Sequence, residues 1–251
     1  KMTPQALDAA ITEKTRLVVL NSPSNPSGVA YTLEELEALG KVLQKYPDVL
    51  IASDDMYEHI IWSESGFHNI LNACPELVER TIVLNGVSKA YSMTGWRIGY
   101  AAGPQKLIAA MKKIQSQSTS NPTSISQYAA AAALEGGTAC VEPMVVAFKE
   151  RHDYMVKSLN QIDGVDCIEG DGAFYCFPSF QGAMDARGFD NDVAFAEEML
   201  NEAGVAMVPG SAFGSPGYMR LSFATSMENL EKAIDRLMLV LGTKEAGNSE
   251  I

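Results

Sequence analysis

One lysine and one arginine, Lys89 and Arg97, stand eight residues apart in a stretch crowded with small residues: Gly86, Ser88, Ser92, Gly95 and Gly99. The stretch runs from Asn85 to Gly103. An apolar run, Thr81 to Leu84, leads into it, and a second, Ile98 to Ala102, leads out. A lysine at the end of a buried strand is unfavourable unless it is paired or chemically used. Lysine is also the side chain that forms Schiff bases with carbonyl compounds. Lys89 is therefore a candidate to carry an aldehyde cofactor, with Arg97 holding that cofactor's anionic end. Each residue also has a plainer use, a solvated loop lysine and a surface arginine paired with a carboxylate.

The elements that must position these residues alternate. Residues 3–14 read as a short helix with Leu7, Ala10 and Ile11 on one face. Arg16 to Leu20 is strand-like and stops at an irregular loop, Asn21 to Gly28, rich in Pro, Ser and Asn. Thr32 opens a helix, Glu35 completes a capping box, and Leu36, Leu39 and Leu43 give it an apolar face. Val49 to Ser53 is the next strand and ends in Asp54, Asp55, Met56 and Tyr57; Thr81 to Leu84 is the third. Strands alternating with helices imply an α/β fold with a largely parallel sheet. Only about a dozen residues separate Leu84 from Ile98, scarcely enough for a helical crossover. The strand from Ile98 to Ala102 should therefore run antiparallel, giving a mixed sheet.

Beyond it, Pro104 suits the first turn of a helix whose face is Leu107, Met111 and Ile114. A polar segment (Gln115 to Ser126), an alanine-rich helix ending near Gly136 and a long helix from Pro143 to about Ile162 follow. Short strands are expected at Val165 to Ile168, Ala173 to Phe177 and Met219 to Phe223, with a helix carrying Val193, Ala196, Met199 and Leu200 between the last two. The final helix, capped by Thr225 and Glu228, carries Leu230, Ala233, Ile234, Leu237 and Leu241. The domain reading is a large α/β domain over 1–144, a small α+β domain over 145–243 and a loose tail over 244–251.

The 251 residues, 47% hydrophobic and 20% charged, have an ordinary globular balance. A net charge of -12 argues against nucleic acid or an anionic membrane as partner. The four cysteines are widely spaced with no CxxC, and there are three histidines, so no metal site is expected. Isolated cysteines suit a reducing cytoplasm. No signal peptide or run long enough to cross a bilayer is apparent.

Ligands of open α/β sheets bind outside the carboxyl ends of the strands. Asn25 follows the first strand, Asp54 ends the second with Tyr57 three residues beyond, and Lys89 follows the third. These types match the needs of pyridoxal 5'-phosphate. Lys89 would form the Schiff base, and Asp54 would keep the ring nitrogen protonated. Asn25 and Tyr57 would donate to the phenolic oxygen, and Arg97 would bind the phosphate. Taken singly, Asn25 is equally a turn residue, Asp54 a turn cap in competition with Asp55, and Tyr57 a core aromatic.

The segment Gly86-Val-Ser-Lys-Ala-Tyr-Ser-Met-Thr-Gly-Trp-Arg-Ile-Gly99 resembles the lysine-attachment signature of class I pyridoxal-phosphate aminotransferases. Asn21-Ser-Pro-Ser-Asn-Pro-Ser-Gly28, Ser53-Asp-Asp-Met-Tyr-Glu-His59 and Met219-Arg-Leu-Ser-Phe-Ala224 resemble three further motifs of that family, in its bacterial aspartate aminotransferase branch. The resemblance implies that Arg220, with Asn25, binds the substrate α-carboxylate. It implies a homodimer and a longer subunit, of which this chain would be the C-terminal portion. The missing part would hold a glycine-rich phosphate loop, a ring-stacking aromatic and the residues that read the substrate side chain. Gly86 departs from the pattern: many members have a phosphate-binding serine there, so a backbone N–H or Ser88 would substitute.

The expected reaction is transfer of an amino group from an L-amino acid, aspartate foremost, to a 2-oxo acid, 2-oxoglutarate foremost. Alternatives on the same motifs are an aromatic or prephenate transaminase, a lyase or synthase, and a non-enzymatic sensor domain of a transcriptional regulator.

Overall fold

The computed structural model describes residues 1–244; apart from Lys244, the tail expected over 244–251 lies outside the described residues. The chain forms two compact units, one of Lys1–Ser24 with Val29–Val145, the other of Asn25–Gly28 with the residues from Val146 onward.

The first unit runs α1 (Pro4–Ala10), β1 (Leu17–Asn21), α2 (Leu33–Leu43), β2 (Leu50–Asp54), α3 (Ile70–Ala73), β3 (Thr81–Gly86), β4 (Gly99–Ala102), α4 (Gln105–Ser118) and α5 (Ser124–Glu135), and enters α6 (Glu142–Leu159). Its sheet has the order β1-β2-β3-β4. β1, β2 and β3 are parallel, and β4 runs antiparallel to β3, as the short connection demands. In register, Asn21 lies beside Asp54 and Asp54 beside Leu84, so β3 projects two residues further, to Gly86. That staggered edge receives the chemistry described below.

Thr32 begins α2 with both halves of a capping box: its hydroxyl accepts from the Glu35 N–H at 3.2 Å, and Glu35 accepts from the Thr32 N–H at 2.9 Å. Leu36, Leu39 and Leu43 then pack in one cluster with Val18, Leu20, Val49, Ile51, Ile70 and Leu77. Each such buried side chain contributes about 1.5–3 kcal/mol relative to exposure. Helix α1 is shorter than its pattern suggests. Ile11 turns extended, and the Thr12 N–H donates to the Thr15 hydroxyl, so a threonine turn competes successfully with another helical turn.

Helix α4 also departs from expectation. It runs on to Ser118, with Pro104 outside it as N-cap, and no residue of it is buried. Its apolar stripe is real in spacing, yet Ile114 is 71% exposed.

The second unit holds the rest of α6, β5 (Tyr175–Cys176), α7 (Gln181–Arg187), α8 (Asp192–Glu202), β6 (Val208–Pro209), β7 (Met219–Ser222) and α9 (Met227–Leu241). Its strands form an antiparallel sheet in the order β5-β7-β6. The strand expected at Val165 to Ile168 reduces to a single bridge between Asp166 and Ser179. The reason is local: the Asn160 side chain takes both backbone groups of Cys167, donating to its carbonyl at 2.8 Å and accepting from its N–H at 2.9 Å. In α8 the buried face is Phe195, Ala196 and Met199, whereas Val193 and Leu200 are exposed. Helix α9 is capped by Ser226 rather than Thr225; the Thr225 hydroxyl accepts instead from the Asn229 side chain.

Thr32→Ala should lower stability by about 1 kcal/mol through loss of the cap. A urea titration should show a lower midpoint with an unchanged slope.

Candidate active site

The loop between β3 and β4 leaves and returns through a neck of two glycines. Gly86 pairs with Gly99, and a Cβ on Gly86 would stand 2.9 Å from the Ile98 carbonyl oxygen and 3.2 Å from the Gly99 Cα. No side chain fits there without a shift of the neighbouring backbone. Beyond the neck a turn presents Ser88 and Lys89, closed by the Ser92 N–H donating to the Lys89 carbonyl at 3.2 Å. Two non-glycine residues of this loop, Ser92 (φ 52) and Arg97 (φ 56), adopt the left-handed conformation. Such strain persists only where the surroundings impose it.

Thr94 is the brace of the loop, and sequence reasoning did not single it out. Its hydroxyl donates to the Ser88 carbonyl at 3.1 Å, and its own carbonyl accepts from the Arg97 backbone N–H and from Arg97 Nη1 at 3.1 Å. Ser88 thus enters the loop's hydrogen bonding through its backbone. Arg97 folds its guanidinium back over the turn and remains exposed.

From sequence, Asp54 is favoured by its place at the strand end, with Asp55 as its competitor for the turn cap, and the surroundings of the two differ. Asp55 is buried with both carboxylate oxygens engaged, by the Ser53 hydroxyl at 2.6 Å and the Asn69 amide at 2.7 Å. It is a structural tie. Asp54 ends β2, where Asn21 Nδ2 donates to its backbone carbonyl at 3.1 Å and the Met56 N–H donates to Oδ1 at a long 3.3 Å. Burial pushes both carboxyls above the ordinary aspartate value; at Asp55 the Ser53 and Asn69 side chains offset it in part, at Asp54 only the Met56 N–H does. A half-buried carboxylate in that condition suits a cationic partner. Tyr57 is 4% exposed, and the Lys89 amine lies 6.0 Å from its ring centroid, within cation–π range. Asp54, Tyr57, Ser88, Lys89 and Arg97 therefore share the carboxyl-end edge of one sheet.

The second unit holds Asn25 and Arg220. Arg220 lies on β7, and its Nη1 donates to Asn25 Oδ1 at 2.9 Å. Its guanidinium carbon lies 4.7 Å from the Tyr175 ring centroid and 5.2 Å from that of Phe213. The Arg220 Nε is buried and has no hydrogen-bond partner among the described residues. A buried guanidinium N–H without an acceptor is rare, and it suits an anionic oxygen. Tyr175 and Phe213 were missed from sequence because they lie 45 and 7 residues from Arg220, with no periodicity linking them.

Among the described residues, no group of three or more metal-ligating side chains occurs and no helix is long and apolar enough to cross a membrane.

Comparison with known proteins bears on the family of the chain. The model of the aminotransferase class I and II family matches residues 1–237. The aspartate/prephenate aminotransferase of Nitrosomonas europaea is 58% identical over 96% of this chain and 62% of its own length. The aspartate aminotransferase of Bacillus subtilis is 48% identical over 94% of this chain and 60% of its own. Among solved structures, the aspartate aminotransferase of Rhizobium meliloti superposes with a TM-score of 0.91 at 44% identity, covering 97% of this chain and 62% of the other. An aromatic aminotransferase of Pyrococcus horikoshii gives 0.88 at 38% identity, covering 96% and 64%. The chain belongs to the class I and II aminotransferase family. It spans about three fifths of the length of these relatives.

The raised Asp54 carboxyl has a consequence for stability. Folding disfavours its ionised form, so the penalty is absent below the unfolded value, near pH 4, and grows as pH rises through the folded value. Asp54→Asn should therefore raise the melting temperature of the ligand-free protein at pH 7 and change it little at pH 3, as scanning calorimetry at the two pH values would show.

Proposed function

We propose that the whole protein transfers an amino group from an L-amino acid, with aspartate the expected donor, to a 2-oxo acid, with 2-oxoglutarate the expected acceptor, using pyridoxal 5'-phosphate. The observation that carries this reading is the Lys89 amine set over the Tyr57 ring on the strand-end edge that also holds Asp54, a half-buried carboxylate with a raised proton affinity.

The residues fit that cofactor. Asp54 would pair with its ring nitrogen, Tyr57 and the Asn25 amide group would donate to its phenolic oxygen, and Arg97 with the loop backbone around Ser88 would face its phosphate. Lys89 would hold it covalently through Nζ. When bound, pyridoxal phosphate supplies an aldehyde that captures amines and a ring that takes up the electron pair released at the substrate α-carbon.

The protein's own part is binding, orientation and proton transfer. Arg220, flanked by Tyr175 and Phe213, would clamp the substrate α-carboxylate with Nε and Nη, and Asn25 fixes the plane of the fork. Lys89 Nζ would be the base that takes up the proton of the substrate α-carbon and the acid that gives it back. Beside a cationic ring nitrogen Asp54 would keep its charge, which would offset the burial penalty it bears alone.

The second unit would act as the small domain of the subunit. A homodimer and a cytoplasmic location accompany this reading as expectations of the family resemblance. Prephenate is a second candidate for the oxo-acid side, since the relative from Nitrosomonas europaea is described as acting on both.

In the whole protein, Lys89→Ala should lower amino transfer between aspartate and 2-oxoglutarate by more than about a thousandfold, followed by glutamate release. Near-normal glutamate formation by that variant would remove the assignment. Lack of glutamate formation by the unmodified enzyme would turn the reading toward another donor.

A further inference from the structure

We infer that His152 is a positioning residue for the Arg220–Asn25 carboxylate grip, acting through the loop Gly170 to Gly172. The inference rests on reading Arg220 as the ligand of the substrate carboxylate.

His152 lies on α6 and is 2% exposed. Its Nε2 accepts a hydrogen bond from the Gly170 backbone N–H at 2.9 Å. An amide N–H can only donate, so Nε2 carries no proton, and the ring proton sits on Nδ1. There it donates to Asp153 Oδ1 at 3.0 Å, and Lys149 Nζ holds the same oxygen at 2.6 Å. The tautomer and the orientation of the ring are both fixed by these contacts.

The two amides after Gly170 have one common acceptor. Asp171 and Gly172 each donate a backbone N–H to the Gly28 carbonyl at 2.9 Å. Two backbones meet here without side chains between them. Gly28 has φ +73, and a Cβ on it would stand 2.9 Å from the Gly172 carbonyl oxygen; a Cβ on Gly170 would stand 3.3 Å from the Gly28 oxygen. Gly28 ends the short segment that begins at Asn25, and Asn25 receives Arg220 Nη1. The imidazole also meets the Phe223 ring edge-on, centroids 6.0 Å apart, and Phe223 follows the strand that carries Arg220. His152 thus touches both halves of the grip's support: the loop that seats Asn25 and the end of the strand that carries Arg220.

Three variants in the whole enzyme test this. His152→Leu keeps bulk but removes the acceptor, leaving the Gly170 N–H without that partner. His152→Gln places an amide oxygen at the same number of bonds from the backbone as Nε2, and so restores an acceptor. Gly170→Ala leaves the imidazole in place but crowds Gly28 from the other side. His152→Leu and Gly170→Ala should each raise KM for aspartate about tenfold, with kcat within about twofold of the parent, and His152→Gln should return KM to within about threefold. A merely structural histidine would lower the melting temperature without this split. Unchanged KM in both His152→Leu and Gly170→Ala, a loss confined to kcat, or failure of glutamine to rescue would each overturn the inference. Arg220→Lys, measured alongside, separates the two readings: if it leaves KM unchanged, the carboxylate assignment itself is wrong, whatever the His152 variants do.

Discussion

Gly86 and Gly99 face each other where β3 and β4 part, and the rest of the first unit's chemistry hangs from that closure. A Cβ on Gly86 would meet a carbonyl oxygen at 2.9 Å, so the neck is as narrow as two backbones allow. Asn85, one residue earlier, ties the neck to the segment after β2. Its Nδ2 donates to Glu58 at 2.6 Å, and its Oδ1 accepts from the Gly86 N–H at 2.7 Å. Glu58 adjoins Tyr57, so the turn that presents Lys89 and the segment that presents Tyr57 and Asp54 are held by one side chain. Thr94 closes the other end of the loop, and the left-handed Ser92 and Arg97 absorb the strain.

Among the described residues, two groups of the candidate site are buried with little or no hydrogen-bond compensation. Asp54 is half-buried with its carboxyl pushed up, and the Arg220 Nε is buried without an acceptor. Other buried charged groups have more partners: Asp55, whose carboxyl burial also pushes up, has donors on both oxygens, and Arg80 donates to three backbone carbonyls. Local rules are characteristically broken at sites that await a ligand. In the proposed reading Asp54 would pair with the ring nitrogen and Arg220 with the substrate carboxylate.

What was legible in the sequence follows from how local its cause is. The Thr32–Glu35 capping box needs only residues three apart, and it formed as read. The antiparallel β4 followed from connection length alone. The expected strand at Val165 to Ile168 failed because Asn160, distant from the alternating pattern, captured the Cys167 backbone. The stripe on α4 has correct helical spacing, but spacing cannot say whether anything covers it. Asp54 is favoured over Asp55 by its place at the strand end, whereas the different donors around the two are set by the tertiary structure. The roles of Tyr175, Phe213 and His152 depend on tertiary approach, for which no local pattern exists.

The central claim is that Lys89 Nζ is the point of covalent attachment for an aldehyde cofactor. Incubating the whole protein with pyridoxal phosphate, reducing with borohydride and mapping the peptides by mass would test it most directly. The account predicts a single stable pyridoxyl adduct, on Lys89. An adduct on another lysine, or none in the whole protein, would contradict it.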